Sequence, residues 1–355
     1  MGVNNKRDVW VDNVKVIACI LVVLGHFFQS MVKSDILPKT TLYGWFNDTI
    51  YYFHVPLFFI CSGFLYQKYS KVVDFSSWKK SVLKKFLALG IPYFVFSFAT
   101  WFLKKMFSSS VNDELGGIVD TLIYHPASPY WYLYALFFMF VITLTTKNVK
   151  NQIALLIIAS ILRVLFSIGA FSKFSQVFII SKLCEHWVWF IIGMMLAYNY
   201  VKYVNALIGV VMFVVFLIGS FIVRFWGAGV VANEGLMRFV LAVLACYSVI
   251  SIAHSLFEND VQNKCWQFCA RYTMPVFLMH TLFAAPLRSV LFKFGIHNSI
   301  IHVAAGLVIS FLGPVVAMII LEKLKPLDFI VYPTRYIKIG KGVKNGNNCT
   351  KENNC

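Results

Sequence analysis

Residues 13–32 read NVKVIACILVVLGHFFQSMV, an apolar run whose one side chain with a permanent charge is Lys15. A bilayer core of about 30 Å requires about 20 such residues in a helix, so this run predicts a membrane-spanning helix. Nine further apolar runs follow along the chain of 355 residues. They are residues 45–67, 81–106, 130–146, 151–168, 183–199, 204–223, 230–254, 272–292 and 299–321. The sequence therefore predicts an all-α, polytopic membrane protein of about ten transmembrane helices.

Composition leads to the same class of protein. The chain is 59% hydrophobic and only 13% charged, whereas an ordinary soluble domain is about 25% charged. Its formal net charge of +17 raises the question of nucleic acid binding. A mean hydropathy of +0.72 leaves too little polar surface for a soluble protein of that kind. The positive charge therefore requires an explanation that involves a lipid bilayer and no nucleic acid.

The positive charges also predict the orientation in the cell membrane, because short loops rich in Lys and Arg stay in the cytoplasm. With both termini placed in the cytoplasm, 20 of the 32 Lys and Arg residues fall on that side and ten fall on the outer side. We expect one membrane domain over residues 1–333. Residues 334–355 are basic and then rich in asparagine, so they are expected to form a mobile cytoplasmic tail.

The first helix carries a polar stripe. Asp12, Lys15, Cys19, Val22 and His26 are spaced by three or four residues, which places them on one helix face. Lys15 and His26 are separated by about 20° around the axis and roughly 16 Å along it. One face therefore runs from a cation near the cytoplasm to an imidazole deep in the bilayer.

This stripe suits a substrate that enters from the cytoplasm with its phosphates at Lys15 and its reactive end at His26. A histidine can take a proton from a hydroxyl and return it to a leaving group. A structural interpretation is also open, in which Lys15 extends to the interface beside Asp12 and His26 bonds a neighbouring helix. The eight cysteines show no metal-type pairing, and no metal site is expected.

The second helix contains FHVPLFFICSGFLY over residues 53–66. Within one span it combines a second histidine, His54, with Pro56 and with Ser62 next to a glycine. Pro56 leaves a backbone carbonyl without its helical donor, and the Ser-Gly pair permits close backbone approach. Interrupted helices of this kind often line cavities in membrane proteins, so the pattern indicates a cavity beside the first helix.

Several motifs resemble the acyltransferase 3 family of integral membrane acyltransferases. Residues 12–18 (DNVKVIA) with 21–26 (LVVLGH) match its first-helix signature, and residues 56–59 (PLFF) with 62–64 (SGF) match its second. Residues 131–133 (WYL) and 274–280 (MPVFLMH) are similar to later landmarks. The family's hallmark is an Arg followed by ten residues and a His. This chain keeps that spacing with Lys15 in place of the arginine.

The resemblance implies an O-acyltransferase whose catalytic base is His26. An acyl group, most simply acetyl, would pass from cytoplasmic acyl-coenzyme A to a hydroxyl of a cell-surface glycan, lipid or small molecule. His26 would act as base alone or would itself carry the acyl group. Lys15, Lys84 and Lys85 would hold the phosphates of acyl-coenzyme A, the co-substrate. For Lys84 and Lys85 the alternative is ordinary positive-inside anchoring.

Other polar residues are candidates for supporting roles or for lining the cavity. Asp12 would orient Lys15 or cap the first helix, and His54 and His280 would face the cavity or bond neighbouring helices. Pro56 and Ser62 would shape the cavity, and Trp131 would form an aromatic wall or belong to an interfacial belt. Glu185 and His186 are expected at the outer start of the sixth helix. A rival hypothesis for the whole chain is a transporter or non-catalytic membrane module that handles a small solute such as an amino acid.

Overall fold

The computed structural model describes residues 8–106, 116–170, 176–198, 205–230, 234–257 and 262–337, and within these ranges the chain is helical and contains no strand. The helices are α1 (Val9–Lys33), α2 (Thr41–Tyr69), α3 (Phe75–Lys85), α4 (Ile91–Met106), α5 (Trp131–Ile142), α6 (Val149–Ser167), α7 (Phe178–Leu196), α8 (Ala206–Val230), α9 (Glu234–Leu256), α10 (Lys264–Lys293) and α11 (Ser299–Lys323). The expectation of an all-α fold is confirmed.

Membrane-spanning length is reached by nine helical segments within these described ranges. They are α1, α2, the continuous segment Phe75–Met106 that joins α3 to α4 through a π-helical turn at Phe86–Gly90, and α6 to α11. Each is long and apolar enough to cross a bilayer. The chain is therefore a polytopic membrane protein, as the hydropathy pattern predicts.

The expected span 130–146 is shorter than the others. Its helix, α5, has 12 residues and is about 18 Å long at the helical rise, which is less than the bilayer core. Beyond it the chain is extended, with Tyr66 Oη donating to the Thr143 carbonyl at 2.8 Å and Thr145 N donating to the Val72 carbonyl at 3.1 Å. These bonds to α2 and to the segment after it replace the helical bonds that would have continued α5.

Helix boundaries differ from the sequence expectation most clearly at α7. The helix begins at Phe178, so Glu185 and His186 lie about two turns inside it rather than at its start. A carboxylate and an imidazole at this depth need partners, and both residues have them in the structure. The expectation that they open the helix is corrected.

Helix α2 lies at the centre of the domain and packs against α1, α7, α8 and α9. Its crossing with α7 depends on two glycines. A Cβ at Gly63 would overlap the Phe190 carbonyl oxygen, and a Cβ at Gly193 would overlap the Ile60 carbonyl oxygen. Each glycine therefore lets the backbone of the other helix approach, as small residues do at membrane helix interfaces.

Prolines occur inside three helices without ending them. Helix α2 continues through Pro56, and α10 continues through Pro275. A proline at position 275 removes the donor for the Arg271 carbonyl, and Tyr332 Oη supplies a replacement at 3.3 Å. The interruption expected in the second helix is therefore a proline within a continuous helix.

The last described residues are bound to the ends of α10 and α11. Asp328 is buried and accepts hydrogen bonds from Tyr336 Oη and, at 2.9 Å, from Arg335, which also pairs with Glu322 at 3.0 Å. The Tyr336 hydroxyl and the Arg335 guanidinium lower the pKa of the Asp328 carboxyl below its ordinary value. The predicted tail 334–355 lies outside the described residues from 338 onward.

Candidate active site

His26 lies on α1, seven residues before the helix ends, and is half-buried. Its ring meets the ring of Tyr51 on α2 edge-on, with centroids 6.2 Å apart. On its other side it meets His280 of α10, with centroids 5.6 Å apart. Three helices therefore converge on one imidazole.

Each ring nitrogen of His26 faces a hydroxyl. Tyr51 Oη lies 3.5 Å from Nδ1 and donates its own hydrogen to Gln29 Oε1 at 3.0 Å. Ser128 Oγ, in the loop before α5, lies 3.5 Å from Nε2. Gly25 makes room for the Tyr51 ring, because a Cβ at position 25 would lie 3.0 Å from that ring.

His280 and His54 are fixed by bonds to their own helices. His280 Nδ1 lies 3.0 Å from the carbonyl oxygens of Val276 and Phe277, and His54 Nδ1 lies 2.7 Å from that of Ile50. A carbonyl only accepts, so Nδ1 carries a hydrogen in both rings, and in the neutral imidazole Nε2 is the acceptor. His280 Nε2 is buried and has no hydrogen-bond partner among the described residues.

The three histidines form one cluster, since both His54 and His280 lie near enough to act electrostatically on His26. His54 reaches it across Tyr51, whose ring centroid is 4.7 Å from that of His54. Across the described ranges, no group of three or more His, Cys, Asp or Glu side chains has the proximity needed to hold a metal ion.

Lys15 occupies the other end of the α1 stripe. It is half-buried, and both Lys15 and the half-buried Asp12 lie near enough to act on Cys61 of α2. No carboxylate in the described part of the chain lies within ion-pair distance of Lys15. A partly buried ammonium in this position suits an anionic ligand.

Lys84 and Lys85 end helix α3 and lie near Lys15. Lys85 Nζ is 3.9 Å from the centroid of the Phe140 ring, and the like charges of Lys84 and Lys15 act on it. Lys84 is exposed. Of the two lysines that end α3, Lys85 therefore lies near enough to Lys15 for their charges to interact, and Lys84 is its neighbour in sequence.

The remaining predicted residues lie farther from His26. Pro56 is buried in α2, and Ser62 lies two turns beyond His54 with its Oγ 3.1 Å from Tyr132 Oη on α5. Ser62 therefore joins α2 to α5. Trp131 begins α5 and packs against His186 of α7, with ring centroids 5.4 Å apart.

Sequence reasoning missed several side chains of the site. Tyr51 and Ser128 reach His26 from another helix and from a loop, at separations of 25 and 102 residues. Gln29 is three residues after His26, which is a helical spacing that could have indicated it. Tyr51 and Ser128 have no such local signal.

The fold and the site define a polytopic membrane protein with a histidine cluster at one end of a helical stripe and three lysines at the other. A family model described as an acyltransferase domain, acyltransferase 3, matches residues 8–319. The chain therefore belongs to this acyltransferase family.

Two curated relatives share part of the sequence. Nodulation protein NolL of Mesorhizobium japonicum is 31% identical over 152 residues, which cover 41% of this chain and 38% of that protein. Nodulation protein NolL of Sinorhizobium fredii is 31% identical over 142 residues, which cover 40% of this chain and 37% of that protein. The matched region is less than half the length of either relative. No solved structure matches the chain.

Proposed function

We propose that the protein is an O-acyltransferase that moves an acyl group, most simply acetyl, from cytoplasmic acyl-coenzyme A to the hydroxyl of an acceptor at the outer side of the cell membrane, with His26 as general base. The acceptor would be a cell-surface glycan, a lipid or a small molecule. The family supports acyl transfer. The observation that carries the proposal is the placement of His26 and Lys15 on one face of α1. Two further histidines lie near His26, and Lys85 lies near Lys15.

Hydrogen bonds around His26 favour one tautomer. The Tyr51 hydroxyl gives its hydrogen to Gln29, so its oxygen is left to accept from His26 Nδ1–H. A neutral imidazole with its hydrogen on Nδ1 has a free lone pair on Nε2. Nε2 faces Ser128 in the loop before α5, on the side from which an acceptor would approach.

The transfer would then proceed in two proton movements. Nε2 takes the hydrogen of the acceptor hydroxyl while that oxygen attacks the thioester carbonyl carbon, forming a C–O bond. The C–S bond breaks, and the coenzyme A sulfur leaves with the proton that His26 returns. The products are an ester and free coenzyme A, and the imidazole is again neutral.

The lysines at the other end of the α1 stripe suit the phosphate-bearing end of the acyl donor. Coenzyme A carries phosphates, and an ammonium without a carboxylate partner binds a phosphate as a point charge. Lys15 would hold them with Lys84 and Lys85, whose charges already act on one another. Lys15 lies about 16 Å along α1 from His26, and the arm of the coenzyme would span that distance.

Replacing His26 tests the proposal. Membrane vesicles containing the chain are supplied with radiolabelled acetyl-coenzyme A, and label is measured in their glycan and lipid fractions. H26A should abolish the incorporated label while the protein remains folded and in the membrane. H125A is the matched control, since His125 is an exposed histidine paired with Asp120.

Two results would contradict the proposal. One is transfer by H26A at the wild-type rate. The other is uptake of a radiolabelled amino acid into sealed vesicles that depends on the chain but not on coenzyme A, which would favour the transporter hypothesis.

A further inference from the structure

A second polar cluster lies on α7 and α5. Lys182 Nζ is 2.9 Å from Glu185 Oε2, and His186 Nε2 is 3.4 Å from the same oxygen. Trp131 lies against this pair, with Lys182 Nζ 4.9 Å from its ring centroid and the His186 ring 5.4 Å away. We call Trp131, Lys182, Glu185 and His186 the α7 cluster.

The α7 cluster combines a buried imidazole with two partly exposed charged groups. The side chains of Lys182 and Glu185 are 25% and 29% exposed, so both charged groups reach the protein surface. The His186 side chain is only 10% exposed and stacks on Phe59, with centroids 5.3 Å apart. His186 Nδ1 is buried and has no hydrogen-bond partner in the described ranges. Such a group in a membrane helix is costly, which favours a functional reason for it.

The cluster adjoins the site at His26. Trp131 follows Ser128 by three residues, and Ser128 faces His26 Nε2. His186 lies near enough to His54 for the two imidazoles to act on each other electrostatically. Glu185 is seven residues from the start of α7 and His26 seven residues from the end of α1, about 10 Å along each helix. By the predicted orientation both ends face outward, so the two groups lie at similar depth.

We infer that the α7 cluster is the acceptor subsite and that it binds a saccharide through neighbouring hydroxyls. This inference rests on the proposed function and names its acceptor class. A carboxylate and an ammonium side by side offer an acceptor and a donor at the spacing of vicinal hydroxyls. The partly exposed Trp131 ring adds an apolar surface for the C–H face of a sugar ring. An acceptor with a single hydroxyl would not use both groups.

Binding of simple sugars to the whole chain in nanodiscs tests this assignment. The probes are methyl glycosides of mannose, galactose and glucose, with cyclohexanol as a single-hydroxyl comparison, and binding is followed by saturation-transfer NMR. We expect saturation of the ring protons of at least one glycoside by wild type and none of cyclohexanol. E185Q should weaken that binding about tenfold or more, the effect expected when a charged hydrogen bond is lost. W131A should also weaken it, because it removes the apolar surface for the sugar ring.

The chain offers matched controls. Trp101 also lies under a lysine, with Lys105 Nζ 5.0 Å from its ring centroid, and Glu234 also pairs with a basic residue, Arg238, at 3.8 Å. W101A and E234Q should bind the glycoside as wild type does. W131F, which keeps an aromatic ring, replaces W131A if the alanine variant does not fold.

The outcomes separate this inference from the proposed function. Absence of glycoside binding by wild type, or equal binding by wild type and E185Q, would overturn the acceptor subsite. Cyclohexanol binding that E185Q also abolishes would overturn the choice of a saccharide. H26A should bind the glycoside normally and lack acetyl transfer. If H26A keeps transfer while E185Q loses glycoside binding, the base assignment fails and the subsite stands.

Discussion

The hydroxyl of Tyr51 lies 3.5 Å from His26 Nδ1 while it donates its own hydrogen to Gln29. The tyrosine oxygen is then left to accept from Nδ1–H, which leaves Nε2 as the basic nitrogen. Tyr51 is therefore a positioning residue for the proposed base.

Removal of that hydroxyl should slow transfer without weakening substrate binding. For Y51F we expect kcat to fall about threefold to tenfold, the range for loss of one neutral hydrogen bond, with KM for acetyl-coenzyme A unchanged. Y43F, in the first turn of the same helix, should have the wild-type kcat. A Y51F enzyme with unchanged kcat would show that Tyr51 does not position His26.

Lys15 should affect donor binding rather than chemistry. K15A is expected to raise KM for acetyl-coenzyme A about tenfold or more, because it removes a charged partner of the phosphates, and to leave kcat near wild type. K15R restores the charge with a bidentate donor and should recover most of the affinity.

The matched control for Lys15 is Lys68, a lysine on the predicted cytoplasmic side that pairs with Asp8 at 2.6 Å. K68A should leave KM for acetyl-coenzyme A unchanged. Isothermal titration with coenzyme A measures the same effect without turnover. Equal affinities of wild type and K15A for coenzyme A would show that Lys15 does not contribute to donor binding.

The glycine contact between α2 and α7 should be sensitive to a single methyl group. G63A places that group on the Phe190 carbonyl oxygen, so one helix backbone must shift, at a cost of about 1–3 kcal/mol or more. Thermal unfolding in detergent should show a lower midpoint for G63A. G227A is the control, because its Cβ would meet Val223 at an ordinary 3.7 Å in α8. A G63A midpoint equal to wild type would mean that the helices do not cross this closely.

Acid should weaken the attachment of the last described residues. The pKa of Asp328 is lowered in the folded protein by Tyr336 and Arg335, so its contribution to stability is complete above the ordinary carboxyl pKa of 3.8. That contribution is lost as the pH falls through the lowered folded pKa. D328N should unfold at a lower temperature than wild type at pH 7, and the difference should shrink as the pH falls below 3.8. A difference that does not change with pH would contradict this account.

Hydropathy predicted most of the fold, because a bilayer imposes a length and an apolar composition on each span. It predicted α5 less well, since the bonds that end this helix come from Tyr66 and Val72, far away in sequence. Hydropathy also placed Glu185 at the start of a helix that begins seven residues earlier.

The candidate site was predictable in part. Lys15 and His26 share a face by spacing alone, which is a local property of one helix. The approach of His280 to His26 depends on how α1 and α10 pack, and helical periodicity does not specify which faces meet. The α7 cluster was missed for the same reason, because Trp131 reaches it from another helix.

The crossing at Gly63 and Gly193 has a consequence for how substrates enter. Helix α2 carries Tyr51 and His54, and α7 carries Glu185 of the α7 cluster. Because their backbones are in direct contact at this crossing, we expect α2 and α7 to move as one unit. We therefore expect any movement that admits a donor or an acceptor to occur in α10 or in the loop before α5.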